Sequence, residues 1–325
     1  MDIPFAESER STVGIEWELA LVDADSGDLR QVAQTVLDAV APSDGGDHPT
    51  IKQELLLNTV EIVTGVCRTV GEAGADLHRT VEELRRITDP LRVELMCAGT
   101  HPFASWSNQK VTDKQRYATL IERTQWWGRQ MLIYGIHVHV ASSRATRCCR
   151  SCARSSPTTR TCRPSRRRRP SGAARTPPTR PTAPDVPAAP DGGAPLPVRR
   201  LGRLRGLRRG HAAHGRDRRH LRDPLGPAAL APPGTLEMRI CDGASNLTEV
   251  LALAALTQCL VEHFSTLYDA GEELPRLPPW FVQENKWRSA RYGMDAIIIT
   301  NAAGDEELVT DAVERLLADL APTAE

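Results

Sequence analysis

Four short segments alternate apolar side chains with side chains able to do chemistry. "GIEWEL" sets Glu16 and Glu18 two residues apart, "GIHVHV" does the same with His137 and His139, and "LEMRI" with Glu237 and Arg239. "IKQELLLNTVEIV" adds Glu54 and Glu61. In a strand, residues i and i+2 share a face, so each pair faces one way with its apolar neighbours behind it. An outer sheet face open to water would explain any one of these strands. Such faces usually carry Lys, Thr, Ser and Gln, however, and these carry Glu, His and Arg only, which points to a lined cleft. Carboxylates gathered on one face repel unless cations sit among them. Hard divalent ions such as Mg²⁺ take carboxylate oxygens and in turn hold phosphate oxygens. The histidines could complete such a site or pair with a phosphoryl group.

A second group lies in "QENKWRSARYG", where Asn285, Lys286, Arg288 and Arg291 stand beside Trp287 and Tyr292. It reads either as an exposed basic loop or as a clamp for phosphate or carboxylate, offsetting charge in phosphoryl transfer.

Alternation and helical spacing give the elements that must carry these groups. Val13, Ile15, Trp17, Leu19 and Leu21 face one way in the first strand. A short helix over "QVAQTVLDAV" closes at "PSDGGD", and "IKQELLLNTVEIVTG" reads as two short strands or one kinked at Asn58. Apolar residues at 70, 73, 77, 81 and 84 predict a helix over 70–88 that Pro90 ends. "RVELMCAGTHPF" begins as a strand. The stretch from Thr112, a candidate cap, to Gly135 is mostly helix. Strands follow at "GIHVHV" and "GTLEMRICD", then a long helix over 247–268 with apolar residues on more than one face. "PRLPPWFVQENKWRSARYGMDAIIIT" is loop plus one element, and 306–320 is expected as a terminal amphipathic helix. Strands and helices mix without βαβ regularity, so the class is α+β.

The chain has 325 residues and a formal net charge of zero, which hides a segregation. Residues 142–233 hold 22 Arg and 4 Asp, no Lys or Glu, 15 of the 24 prolines, and no Phe, Trp, Tyr, Ile or Met. That stretch is +18 and the remainder −18, and no core can be assembled from its inventory. The domains are therefore expected as 1–141 and 234–325, two parts of one ligand-handling fold, around a segment that does not pack. Three readings of the segment compete. It could be a basic arm for nucleic acid, or a metal knuckle at "CCRSC". The favoured reading is the wrong frame of a GC-rich gene. Shifted by one base, residues 143–172 can read "SRDKVLPVLRALVSYYPHLQALAASSPFW", and residues 190–215 and 219–227 also admit foldable text in the other offset. On this reading nucleic acid is not expected as a partner. Cys67, Cys97, Cys241 and Cys259 sit singly among apolar residues, as buried thiols of a reducing cytosol do. No signal-like start or membrane-length apolar run is evident, so the location expected is cytoplasmic, with no membrane partner.

"GIEWEL", "QELLLNTVEIVTGVC", "GIHVHV", "GTLEMRICD" and "NKWRSARYGMDA", in this order and spacing, resemble the type-2 glutamate–cysteine ligases, the bacterial carboxylate–amine ligases. The likeness covers most of 11–141 and 234–320, and the hidden-frame text resembles the same family. It implies a glutamine-synthetase-like fold, a curved, mainly antiparallel sheet with helices outside. It implies ATP and Mg²⁺, with phosphorylation of a carboxylate and displacement of the phosphate by an amine. The partners would be glutamate or a similar carboxylate and cysteine or another amine. Carried over by motif, Glu16, Glu18, Glu54, Glu61 and Glu237 are candidate metal ligands. His137 and His139 would flank metal or nucleotide, joined there by Asn285 and Arg291. Arg239, Lys286 and Arg288 would contact phosphates or the substrate carboxylate. The resemblance fails across 142–233, where the family has sheet and substrate loops, so a weak or inactive chain is expected. A metal-dependent hydrolase using the Glu and His face, without nucleotide, is the alternative from another class.

Overall fold

The computed structural model describes residues 8–44, 46–125, 128, 130–142, 229–230 and 234–324. The expectations placed on the Arg- and Pro-rich segment lie outside these residues, apart from Ser142 and the short strand 229–230.

The centre is an antiparallel sheet. Strand β1 (Val13–Asp23) lies between β3 (Thr59–Val63) on one edge and β5 (Gly135–Ala141) on the other, with β4 (Val93–Met96) taking the β5 edge beyond Ala20. β2 (Ile51–Gln53) extends the β3 side as the free edge, and β7 (Thr235–Asp242) with β6 (Ala229–Leu230) extends the β5 side. In antiparallel pairs, directly opposed residues point to one face. The register opposes Glu16 to His137, Glu18 to Glu61, Gly14 to His139, and His139 to Glu237. The three separate i, i+2 pairs of the sequence therefore become one face.

The other face holds the core. Val13, Ile15, Leu19, Leu21, Ile62, Ile136, Val138 and Leu236 are each at most 2% exposed. Helices α1 (Ala33–Val40), α2 (Val70–Thr88) and α4 (Leu247–Asp269) contribute to that same core. Two helix starts repeat one device: Thr69 Oγ1 accepts from Glu72 N while Glu72 Oε2 accepts from Arg68 N, and Asn246 Oδ1 accepts from Glu249 N while Glu249 Oε2 accepts from Ser245 N. Each arrangement satisfies N–H groups that a helix start leaves open.

Helix α4 is long and apolar enough, by length and composition, to cross a membrane, contrary to the expectation of no such run. It is a core helix. It packs on the sheet, on α2 and on the terminal helix Val309–Ala324, which is why more than one side is apolar, and its Glu262 pairs with Arg10. Two further expectations are corrected. Helix α3 (Gln115–Thr124) starts after Lys114 without a side-chain cap, and Thr112 instead donates through Oγ1 to Glu54 O at 2.8 Å. The terminal helix α6 begins at Val309, not 306 (Val309–Ala324), because Glu306–Leu308 forms β9, paired with β8 (Ile297–Ile299). Asn301 Oδ1 accepts from the N–H of Ala303, Gly304 and Asp305 and so shapes that hairpin. Helix α5 (Pro279–Tyr292) packs on β8, forming a C-terminal unit joined to the core through α4 and α6.

Candidate metal and phosphate site

The polar face of the sheet carries a connected set of charges. His137 donates through Nδ1 to Glu16 Oε2 at 2.7 Å, and His139 through Nε2 to Glu16 Oε1 at 3.1 Å. Glu237 Oε1 lies 3.9 Å from the same His139 nitrogen and pairs with Arg239. Gly135 N donates to Glu18 Oε2 at 2.7 Å. Glu54 sits in the loop after β2, only 8% exposed, and is held there by Thr112 and by Leu55 N, which donates to Glu54 Oε2 at 2.9 Å.

Burial opposes the charges of Glu16, Glu18 and His139, and their partners decide which are kept. Burial would raise Glu16, but hydrogen bonds from His137 and His139, with their charge, hold it well below the ordinary carboxylate range. Burial pushes Glu18 up to about 7; the charge of Glu54 adds to this, against His137, Gly135 N–H and Arg239. Burial would lower His139, yet Glu16 and Glu237 raise it. Burial, more than any neighbouring charge, is thus what raises Glu18.

Whether a cation fits is decided by the donor atoms and by a carboxyl that burial raises beside them. One donor atom each from Glu16, His137 and Glu237 lie within 4.8 Å of one another, and so do donors from Glu18, Glu61 and His137. Carboxylate-rich sets with one imidazole suit a divalent ion, and an ion there would return Glu18 to its ionised state. The residues fit the group.

The face thus gathers Glu16, Glu18, Glu54, Glu61, Glu237, His137, His139 and Arg239, drawn from five separate segments of sequence. It does not gather the α5 group. Asn285, 2% exposed, donates to Ile299 O at 2.7 Å and accepts from Ile299 N at 2.8 Å, stapling α5 to β8. Arg288 pairs with Glu284 and Glu306 and donates to Ile297 O. The Arg291 guanidinium lies 5.8 Å from the centre of the Tyr292 ring, and Lys286 is half-buried on the same helix. Sequence reasoning missed Thr235, whose Oγ1 lies 3.3 Å from His139 Nδ1. It also missed Lys52, which β2–β3 pairing sets opposite Glu61. Neither carries a signal until the register is known.

The profile of glutamate–cysteine ligase family 2 matches residues 12–158 and 205–325. A protein of Paenarthrobacter aurescens named as a glutamate–cysteine ligase 2-2 is 46% identical over all of this chain and 86% of its own length. One of Mycobacterium ulcerans, named as a glutamate–cysteine ligase 2, is 44% identical over 99% of this chain and 81% of its own. A glutamate–cysteine ligase from Francisella tularensis, solved in complex with AMP, superposes with a TM-score of 0.64 at 11% identity, covering 98% of this chain and 78% of that one. A bifunctional glutathione synthetase from Pasteurella multocida gives 0.56 at 13% identity, covering 97% and 45%. At these identities the two structures show the fold, the α+β arrangement expected from the sequence.

Proposed function

The chain belongs to glutamate–cysteine ligase family 2, and from that premise we propose that its sheet face is the site of an ATP-dependent carboxylate–amine ligase. The observation that carries the reading is the in-register assembly of Glu16, Glu18, Glu61, His137 and Glu237, with one carboxyl, Glu18, raised by burial among them. ATP would phosphorylate a carboxylate such as that of glutamate; an amine then attacks the acyl carbon, the C–O bond to phosphate breaks, and the amine proton leaves to a base. Mg²⁺, when bound, would offset the charge crowded at the phosphates.

The chain's own residues supply the frame for this. Glu16, His137 and Glu237, and Glu18 with Glu61, would hold the ions. Arg239, fixed against Glu237, adds a permanent cation at the rim of the face, suited to a phosphoryl oxygen or a substrate carboxylate. His139 braces Glu16. Of the α5 group, Lys286, Arg288 and Arg291 would act on substrate only by giving up or extending beyond their present contacts. Asn285 contributes by holding the C-terminal unit together.

The Arg- and Pro-rich segment is part of the proposal. The family profile's match takes in 142–158 and 205–233 and leaves out 159–204, so the out-of-frame reading is proposed for the centre of the segment. The chain as encoded would then be a weak ligase at best. A phosphate-release assay on the chain with its middle segment restored in frame tests the function: release should require ATP, a divalent ion, a carboxylate and an amine together, and should fall roughly a hundredfold in Glu16→Gln. Turnover that needs no nucleotide would favour the hydrolase instead.

A further inference from the structure

Asn58, between β2 and β3, is fully buried, and its side chain joins three parts of the fold. Its Oδ1 accepts from Thr59 Oγ1 at 2.8 Å and from the Tyr134 hydroxyl at 3.4 Å, and its Nδ2 donates to Gln109 Oε1 at 2.8 Å. Its carbonyl accepts from Leu21 N at 2.8 Å, carrying the β1–β3 pairing one residue beyond Thr59. Gln109 extends the chain of amides. The same Oε1 accepts from Gln31 Nε2 at 2.6 Å, and Gln31 Oε1 accepts from Lys110 N at 3.2 Å. From there residues 110–112 run beside the loop after β2. Leu57 N donates to Lys110 O at 2.9 Å, and Thr112 N donates to Leu55 O at 2.8 Å.

Each branch of this network ends beside a carboxylate of the sheet face. Thr59 opens the strand that sets Glu61 opposite Glu18. Tyr134 precedes Gly135, whose N–H holds Glu18 Oε2. Thr112 holds the carbonyl of Glu54, whose charge reaches Glu18. None of these bonds touches Glu16 or Glu237, which belong to the other donor group. Groups that orient metal ligands from behind set affinity nearly as strongly as the ligands themselves. A buried amide that loses one partner leaves polar atoms unpaired, so the segments it joins shift to recover them.

We propose that Asn58 and Gln109 are positioning residues for one ion of the face, the one held by Glu18 and Glu61, and that they leave the ion of Glu16 and Glu237 alone. The inference rests on the metal-face reading and adds to it what governs one site separately from the other.

Gln109 gives the cleaner test, because it is half-buried and lies outside the face. Gln109→Ala deprives Asn58 Nδ2 of its acceptor. Gln109→Glu keeps the oxygen that accepts from Asn58 and Gln31 and gives up only the exposed bond from Gln109 Nε2 to Ser105 O. Mn²⁺ is titrated into the full chain without nucleotide, with free ion read by electron paramagnetic resonance. Glu237→Gln isolates the ion of Glu18 and Glu61, and Glu61→Gln isolates the other. Gln109→Ala should weaken the first about tenfold and leave the second unmoved, and Gln109→Glu should restore the first. Asn285→Ala, which destabilises the distant C-terminal unit, should move neither, so a general loss of stability does not reproduce the pattern. In the chain without either isolating substitution, Gln109→Ala should likewise weaken one of two ions. Equal weakening of both ions, no weakening of either in chains with native circular dichroism, or no rescue by Gln109→Glu overturns the inference alone. A wild type that takes up no Mn²⁺ overturns the metal-face reading and this inference with it. A chain that binds as expected but forms no amide refutes only the ligase reading.

Discussion

Glu18→Gln should make the metal-free protein more stable and the metal-loaded protein less able to gain from its ion. A carboxyl raised from an ordinary 4.5 to about 7 on folding binds its proton more tightly in the folded chain. Its contribution is therefore fully present below about pH 4.5 and is lost as pH rises to 7. The loss amounts to about 3 kcal/mol. Glutamine carries no charge to desolvate and can still accept from Gly135 N–H. Urea unfolding in chelator should show wild type and Glu18→Gln nearly equal near pH 4.5, with the variant about 3 kcal/mol more stable at pH 8. Adding Mg²⁺ at pH 8 should stabilise the wild type, by about 2.7 kcal/mol at a hundredfold excess over Kd, and the variant much less. A pH-independent difference, or equal Mg²⁺ stabilisation of both chains, would refute the view that this face is built to hold a cation.

Glu16→Gln removes the anchor of both histidines. Its stabilisation, present above the unfolded carboxyl value and lost as pH falls, should drop by about 2 kcal/mol at pH 7, and NMR titration should find His139 displaced downward. Gly243→Ala should cost about 1–3 kcal/mol in urea unfolding, because a Cβ there would lie 2.3 Å from Cys97 Sγ and 2.9 Å from Ala98 O. Asn285→Ala should cost about 2–4 kcal/mol by leaving Ile299 N–H and C=O unpaired, yet leave Mg²⁺ titrations of the sheet face unchanged.

The sheet face was legible because a strand's period is two: Glu16 with Glu18, His137 with His139, and Glu237 with Arg239 each announce one side of one strand. That the sides coincide follows only from register, which sets Glu16 against His137 and His139 against Glu237. The α5 residues show the limit. Asn285 reads equally well as a ligand or as a buried staple, and only the Ile299 contacts distinguish them. Glu306–Leu308 kept a helical apolar pattern in sequence, but the Asn301 turn returns it to β8.

The most direct test of the ligase assignment follows oxygen rather than rate. Glutamate labelled with ¹⁸O in its side-chain carboxylate is supplied with ATP, Mg²⁺ and an amine, to the chain as encoded and to one with its middle segment restored in frame. Phosphorylation of the carboxylate predicts one labelled oxygen in the phosphate released by the restored chain, with trace release at most from the encoded one. Phosphate that carries no label from either chain would contradict the account.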